Sequence, residues 1–133
     1  MPPILKKSQY SISSYGLYSP YKPKGQDLPQ ILEYTTDIPI HKETEFGFIA
    51  HFTKAKGKKI QWLIEHPNWL NEDGVLTENF SGELTIKNNS CYFFLGDHFS
   101  QPFENKIGTW ILSMSYADKK LFSKSYKCFL PRD

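Results

Sequence analysis

The stretch Thr109-Trp-Ile-Leu-Ser-Met-Ser-Tyr116 decides the fold class, because large and small side chains alternate along it. A period of two places every second residue on the same face of a β-strand, whereas a helix repeats every 3.6 residues. The pattern therefore predicts a half-buried strand with one inward face. The residues of that face are Trp110, Leu112, Met114 and Tyr116.

The residues that follow predict a partner for this strand. Ala117-Asp-Lys-Lys120 supplies a tight turn, since the short Asp118 side chain favours turn backbone. Leu121–Phe129 then returns as a second strand, and Phe122, Tyr126 and Cys128 share one of its faces. Two strands joined by so short a turn pair antiparallel. The sequence thus ends in a β-hairpin.

The rest of the chain repeats this pattern of short alternating runs and shows no sustained helical period. Further strands are predicted at residues 10–18, 31–38, 46–52, 60–65, 80–87 and 91–95. The runs 46–52 and 60–65 flank a lysine-rich turn, so we interpret them as a second hairpin. The proline-rich connector 19–29 cannot pair into a sheet, because proline lacks the backbone donor.

About seven or eight short strands with turns between them predict an all-β protein. The expected architecture is an immunoglobulin-like antiparallel β-sandwich, with a small closed barrel as the alternative. The length of 133 residues fits one domain. We expect residues 1–9 to be a flexible N-terminal segment and residues 10–133 to form a single sandwich domain.

Composition limits the classes of partner. The net charge is +2, and lysines are mixed with acids, which argues against a nucleic-acid surface. No run approaches the ~20 apolar residues of a membrane helix, and the first residues lack a signal peptide's apolar core. We expect a cytoplasmic protein with Cys91 and Cys128 reduced, and neither cysteine belongs to a zinc-binding Cys-x-x-Cys pair.

The sequence contains no motif for catalysis, a metal or a cofactor. The four histidines show no metal-ligand spacing, and no nucleophile elbow or phosphate-binding loop is present. The carboxylate pairs Glu43 with Glu45 and Glu72 with Asp73 fall in turn-like segments, where solubility and turn formation explain them. We therefore expect no catalytic residue, no cofactor and no metal site, and a protein that is not an enzyme.

The segment 33–52 first suggests a metal site, because His41 and His51 flank a run of acids. Pro39, however, ends one predicted strand and residues 46–52 begin another, which separates the two histidines. Gly47 lies between two inward phenylalanines. A glycine in that position predicts a bulge or a close approach of another backbone.

The candidates for binding are aromatic and polar residues outside the predicted core. Asp97 and His98 lie in an aromatic-rich loop that could line a pocket, and Trp69 and Tyr21 could provide exposed rings. These four residues are the tentative binding surface. The alternative for Trp69 is that it closes one end of the sandwich core, and loop aromatics near residues 96–103 often do the same.

A longer pattern resembles a known family. The pattern is Gly96-x-x-Phe99-x-x-Pro102-Phe103-Glu104-x-x-x-Gly108-x-Trp110, preceded by Ser14-Tyr-Gly-Leu-Tyr18, Thr36-Asp-Ile-Pro39, Phe46-Gly47 and His66-Pro67. This order is similar to the bacterial family called domain of unknown function 3859. The resemblance implies an immunoglobulin-like sandwich and carries no functional residues. The chain differs from the family pattern at Lys42-Glu43-Thr44, where glycine is usual, at Phe103, where tryptophan is usual, and at Ile107, where proline is usual.

Three functions follow as hypotheses. The first is a non-catalytic interaction module that offers a sheet edge or end loops to a protein partner, as a monomer or weak homodimer. The second is a carbohydrate-binding or small-ligand domain that uses the 96–103 loop and exposed aromatics. The third is an enzyme whose site forms only on folding, with His66 or His98 as participants. Nucleic acid and membrane are not expected partners.

Overall fold

The computed structural model describes residues 8–19 and 28–132, and these contain nine strands and one short 3₁₀ turn at Glu104–Lys106. Residues 1–7 of the expected N-terminal segment lie outside the described residues. The strands are β1 (Gln9–Tyr18), β2 (Ile31–Glu33), β3 (Asp37–Pro39), β4 (Glu45–Thr53), β5 (Lys59–Glu65), β6 (Phe80–Thr85), β7 (Ser90–His98), β8 (Gly108–Tyr116) and β9 (Lys119–Phe129).

Two sheets account for all nine strands. The first sheet has the order β2-β1-β4-β7, and the second has the order β3-β9-β8-β5-β6. Every pair is antiparallel except β3 with β9, which is parallel. The predicted sandwich is therefore confirmed, with one or two more strands than expected and with two separate sheets in place of a closed barrel.

The C-terminal hairpin forms as the alternation predicts. Trp110 pairs with Tyr126 and Met114 with Phe122 across β8 and β9, and all four side chains are buried. The two turn residues, Ala117 and Asp118, have φ values of 50° and 67°. A two-residue turn with both φ values positive has the twist that neighbouring strands require.

The predicted second hairpin is wrong, because β4 and β5 lie in different sheets. β4 pairs with β1 and β7, whereas β5 pairs with β6 and β8. The lysine-rich segment 54–58 crosses from one sheet to the other, and the Gly57 N–H donates to the Ile86 carbonyl at 2.7 Å. Alternation fixes which side chains face inward, but both sheets face the same core, so it does not identify the neighbouring strand.

The predicted strand 31–38 is two strands in opposite sheets. β2 pairs with β1 in the first sheet, and β3 pairs with β9 in the second. Between them, the Asp37 N–H donates to Thr35 Oγ1 at 3.0 Å, which turns the chain. Pro39 is the last residue of β3, an outer strand, where a missing backbone donor is tolerated.

The core lies between the two sheets and is rich in aromatic rings. The Phe46 ring packs against Phe99, Trp110 and Tyr126, with centroid distances of 5.2, 5.5 and 5.2 Å. These four side chains are each no more than 3% exposed. Burying one such side chain stabilises the fold by about 1.5–3 kcal/mol. This cluster therefore stabilises the end of the core that lies beside the first residues of β4.

Gly47 is confirmed as a point of close backbone approach. It pairs with Gly16 of β1 and with Gly96 of β7, so three glycines form a row across the first sheet. A Cβ on Gly47 would lie 2.1 Å from the Leu95 carbonyl oxygen, and its φ is +153°. The Tyr126 hydroxyl donates to the Gly47 carbonyl at 2.6 Å, which ties the two sheets together through the core.

Removal of that hydroxyl tests the bond between the sheets. Tyr126→Phe is expected to lower the free energy of unfolding by about 1–2 kcal/mol, because the buried Gly47 carbonyl loses a donor. Denaturant titration measures the loss. Tyr92→Phe is the matched control, since Tyr92 is half exposed, and it should change stability by less than about 0.5 kcal/mol. Equal effects of the two substitutions would contradict this role of Tyr126.

Candidate functional site

β7 is the longest outer strand of the two sheets. It has nine residues, whereas the other outer strands, β2, β3 and β6, have three, three and six. β7 pairs with β4 from Ser90 to His98, and no strand within residues 8–19 and 28–132 pairs with its other side. Such an edge presents a row of backbone donors and acceptors that a further strand can use.

A cleft of about 490 Å³ runs along this edge. Its lining comes mainly from β7 between Tyr92 and His98, with Leu28 and Glu45 completing it. Successive residues of a strand point to opposite faces of the sheet. Because Phe93 and Phe94 both line the cleft, it follows the edge of the sheet and is not confined to one face.

One end of the cleft carries negative charge. The Asp97 carboxylate accepts a hydrogen bond from the His98 N–H at 2.8 Å and lies 3.8 Å from His98 Nδ1. Desolvation raises the pKa of Asp97, and the nearby Glu45 carboxylate adds to that effect, while the two contacts with His98 oppose it. Glu45, predicted to lie in a turn, is the first residue of β4 and faces His98 across the sheet.

The other end of the cleft holds an exposed ring in a fixed position. Tyr92 is 49% exposed and stacks on His51, with ring centroids 4.0 Å apart and planes 4° from parallel. His51 Nε2 lies 3.0 Å from Ser90 Oγ, and this contact holds the His51 ring in place. An aromatic side chain that is already ordered loses little conformational entropy when a partner covers it.

The structure separates the four residues of the tentative binding surface. Asp97 and His98 lie together in the β7 cleft, but the prediction that they belong to a loop is wrong, because they are the last two residues of β7. Trp69 borders a different cleft, of about 380 Å³, beside the loop that contains the cis peptide bond Gln101–Pro102. Tyr21 lies outside the described residues.

Trp69 contacts the core and does not join a flat aromatic platform. Its ring lies 5.9 Å from Trp110 and 4.2 Å from His66, and Lys106 Nζ lies 4.5 Å from its centroid. Two other tyrosines, Tyr15 and Tyr18, offer no free ring for such a platform, because Tyr18 is buried and Lys124 Nζ lies 3.7 Å from the centroid of the Tyr15 ring. These contacts favour the interpretation that Trp69 closes one end of the core.

His66 holds the loop between β5 and β6 against the core. Its Nδ1 lies 2.8 Å from the Pro67 carbonyl oxygen, and its Nε2 lies 2.8 Å from the Glu78 carbonyl oxygen. The ring is 7% exposed and contacts Phe80 as well as Trp69. Both nitrogens therefore face backbone acceptors that belong to the ends of one loop.

A match over nearly the whole sequence shows the family to which the chain belongs. A family model described as a domain of unknown function, DUF3859, matches residues 6–128. The chain belongs to the DUF3859 family. No curated protein matches this DUF3859 chain.

One solved structure is similar to the DUF3859 chain over almost its whole length. It is the crystal structure of an immunoglobulin-like protein from Pseudomonas aeruginosa, with a TM-score of 0.73 and 20% sequence identity. The match covers 91% of this chain and 97% of the other. At this identity the likeness shows the fold alone, and it agrees with the immunoglobulin-like sandwich predicted from the strand pattern.

Metal sites, membrane-spanning helices and cysteine thiols are the other features to consider in this DUF3859 domain. Within the described residues, no three His, Cys, Asp or Glu side chains are grouped so that they could hold a metal ion, and no helix is long and apolar enough to span a membrane. Both cysteines are free thiols, on β7 and β9, and burial raises the pKa of Cys128 to about 12.

The raised pKa of Asp97 predicts a gain in stability when its charge is removed. A carboxyl with a raised folded-state pKa stabilises the fold below its unfolded pKa, and that stability is lost as the pH rises through the folded value. Asp97→Asn keeps an acceptor for the His98 N–H and carries no charge. It should therefore raise the free energy of unfolding of the DUF3859 domain at neutral pH by less than about 1 kcal/mol.

Denaturant titration at two pH values checks this prediction. The advantage of Asp97→Asn should be present at neutral pH and should disappear at about pH 3, where the aspartate is itself protonated. Asp73→Asn, on an exposed turn, is the control and should change stability at neither pH. A loss of stability for Asp97→Asn at neutral pH would show that the carboxylate is a structural ion and would contradict the prediction.

Proposed function

We propose that this protein is a non-catalytic interaction module that binds an extended segment of a protein partner along β7. The observation that carries the proposal is the cleft of about 490 Å³ along the side of β7 with which no strand of the described residues pairs. In strand addition, backbone hydrogen bonds supply affinity, and pockets for alternate side chains supply specificity.

The side chains around the edge favour a particular kind of segment. Tyr92 offers a fixed aromatic face, and Phe94 and Leu28 add apolar surface beside it. The Asp97 carboxylate at the other end is desolvated, so a cation from the partner would stabilise its charged form. The best match is an extended segment with an apolar residue near Tyr92 and a lysine or arginine near Asp97.

Capture from a lysate of the source organism, with a substituted edge as comparison, tests the proposal. Tyr92→Lys places a charge on the edge, which is a common way in which proteins block strand addition. The captured protein should fall about tenfold or more relative to the unsubstituted chain. Thr85→Lys is the matched control, since Thr85 is exposed on β6, the outer strand of the other sheet. Equal capture by the two variants would count against β7 as the binding edge.

A second candidate, a carbohydrate-binding domain, has one supporting observation. The cleft contains both an exposed aromatic ring, Tyr92, and polar groups, Asp97 and His98 at its other end, and sugar-binding sites combine these two kinds of group. Of the aromatics in residues 96–103, which include the end of β7, Phe99 is buried and Phe103 packs against the core, so they offer little surface. Amide chemical shifts along β7 that move with a panel of soluble glycans would favour this candidate over the first.

A further inference from the structure

The middle of the loop between β5 and β6 forms an ordered projection, which we call the acidic tip (residues 69–77). The Thr77 N–H donates to the Trp69 carbonyl at 2.8 Å, and the Asn71 N–H donates to the Val75 carbonyl at 2.8 Å. Asn71 Oδ1 accepts from the Asp73 and Val75 N–H groups at 2.8 and 3.1 Å. These bonds make the tip a small hairpin with a fixed shape.

The acidic tip exposes apolar side chains that the fold does not use. Leu70, Val75 and Leu76 are 58%, 58% and 56% exposed, although they lie within seven consecutive residues. Its base is anchored, because Trp69 packs against the core and His66 lies 2.8 Å from the Glu78 carbonyl. Apolar groups held together in water by an ordered backbone are typical of a contact surface.

Negative charge surrounds this apolar surface. Glu72 and Asp73 form the turn, Glu78 follows, and residues 67–79 contain no lysine or arginine. Each of the two neighbouring loops at this end contains one lysine and one glutamate, Lys42 with Glu43 and Lys106 with Glu104. These two pairs of residues therefore add no net charge. An anionic lipid surface would repel the tip, and a basic protein surface would attract it.

The opposite end of the sandwich carries the complementary charge. We call it the basic end: residues 54–59, which are the turn after β4 and the first residue of β5, with residues 117–120, which are the turn after β8 and the first two residues of β9. These segments contain one acid, Asp118, and six lysines: Lys54, Lys56, Lys58, Lys59, Lys119 and Lys120. The seven residues of β5 separate the two ends by roughly 20 Å.

The basic end also has an apolar hollow, between the two sheets. Its volume is about 50 Å³, and Tyr10, Ile60 and Leu121 contribute to its lining. A water-sized group needs roughly 10–15 Å³ of such space, so the end of a leucine or valine side chain fits. Lys58 stands at the rim, where its Nζ contacts Ser8 Oγ at 2.8 Å and the Tyr116 ring at 5.1 Å.

We infer that copies of this chain associate head to tail, with the acidic tip of one copy docked on the basic end of the next. The occupant is a second copy because both halves of the contact, apolar groups with acids and an apolar hollow with lysines, are present on one chain. Such a contact joins two different surfaces, so it extends into short chains of molecules and does not close as a two-fold dimer. This inference is independent of the β7 edge.

Sedimentation velocity of the full chain over a range of concentrations tests the inference. The weight-average mass should rise with concentration at low salt and fall back when salt is added, because exposed charges are screened. Leu70→Ser with Leu76→Ser should abolish association by removing the apolar part of the tip. Lys56→Glu with Lys59→Glu should abolish it from the other end. Lys127→Glu, on the exposed side of β9, should leave it unchanged.

Mixing the two defective variants tests whether the contact joins an acidic tip to a basic end. A mass above that of two chains for the unsubstituted chain separates the head-to-tail arrangement from a two-fold dimer. One variant retains an intact basic end and the other retains an intact tip, so together they can form a single contact. The mixture should give a complex of two chains, although each variant alone is a monomer. A monomeric mixture, or an unsubstituted chain that stays monomeric at all concentrations in low salt, would overturn the inference. Circular dichroism of each variant confirms that it is folded.

Discussion

Replacing Gly47 with alanine is expected to lower the free energy of unfolding by about 3–5 kcal/mol. A Cβ at this position would lie 2.1 Å from the Leu95 carbonyl oxygen and 2.6 Å from the Gly96 Cα. Both atoms belong to the backbone of β7, so relief requires β4 and β7 to separate. Chemical denaturation of the purified variant measures the loss, and the near-ultraviolet spectrum shows whether the core remains packed.

Gly57→Ala separates backbone strain from steric contact. Gly57 has a φ of +91°, but a Cβ there would meet nothing within 4 Å. Its substitution should cost about 1–2 kcal/mol, the penalty of a left-handed conformation alone. If Gly47→Ala lowered the free energy of unfolding no more than Gly57→Ala does, the result would contradict a close backbone approach between β4 and β7.

Replacing His66 with alanine is expected to cost about 3–4 kcal/mol. The substitution removes a buried ring that contacts Trp69 and Phe80, and it removes the polar partner of the Pro67 and Glu78 carbonyls. The loop between β5 and β6 should loosen as well. Amide hydrogen exchange at Thr77, whose N–H bonds to Trp69, should accelerate more than exchange in β8.

His98→Ala is the control for this substitution. The His98 side chain is 67% exposed, so its removal should change the free energy of unfolding by less than about 0.5 kcal/mol. A similar small effect of His66→Ala, with unchanged exchange at Thr77, would mean that His66 does not hold the loop in place.

The sequence was sufficient to predict strands and the direction of their side chains. Trp110, Leu112 and Met114 alternate along β8 and are buried, as a period of two requires. The glycine between two inward phenylalanines predicts a bulge or a close backbone approach at Gly47, and the structure shows the close approach. These conclusions depend on residues that are near one another in the chain.

Strand pairing could not be predicted in the same way. β4 and β5 follow each other in sequence but lie in opposite sheets, and both still bury one face in the same core. The 31–38 run likewise divides between sheets at a turn made by Thr35 and Asp37. Pairing depends on contacts between distant residues, which alternation alone does not contain.

The candidate site was found in part. Asp97 and His98 are adjacent in sequence, and they remain together in the β7 cleft. Tyr92 was missed as a binding candidate, because only the three-dimensional order of strands shows that β7 lies at an edge and that His51 supports the Tyr92 ring. Trp69 had two interpretations from sequence, an exposed ring or a side chain that closes the end of the core. Its contacts with His66 and Trp110 favour the second, and they involve residues that alternation along one strand does not relate to it.

Hydrogen exchange of the β7 amides in complex with the captured partner tests the central claim most directly. If an extended segment adds to the edge, amides of residues 91–98 that face away from β4 should become protected, and these occur at every second residue. Protection should be absent from β6, the outer strand of the other sheet. A partner that binds with unchanged exchange along β7, or with protection confined to another surface, would contradict binding at this edge.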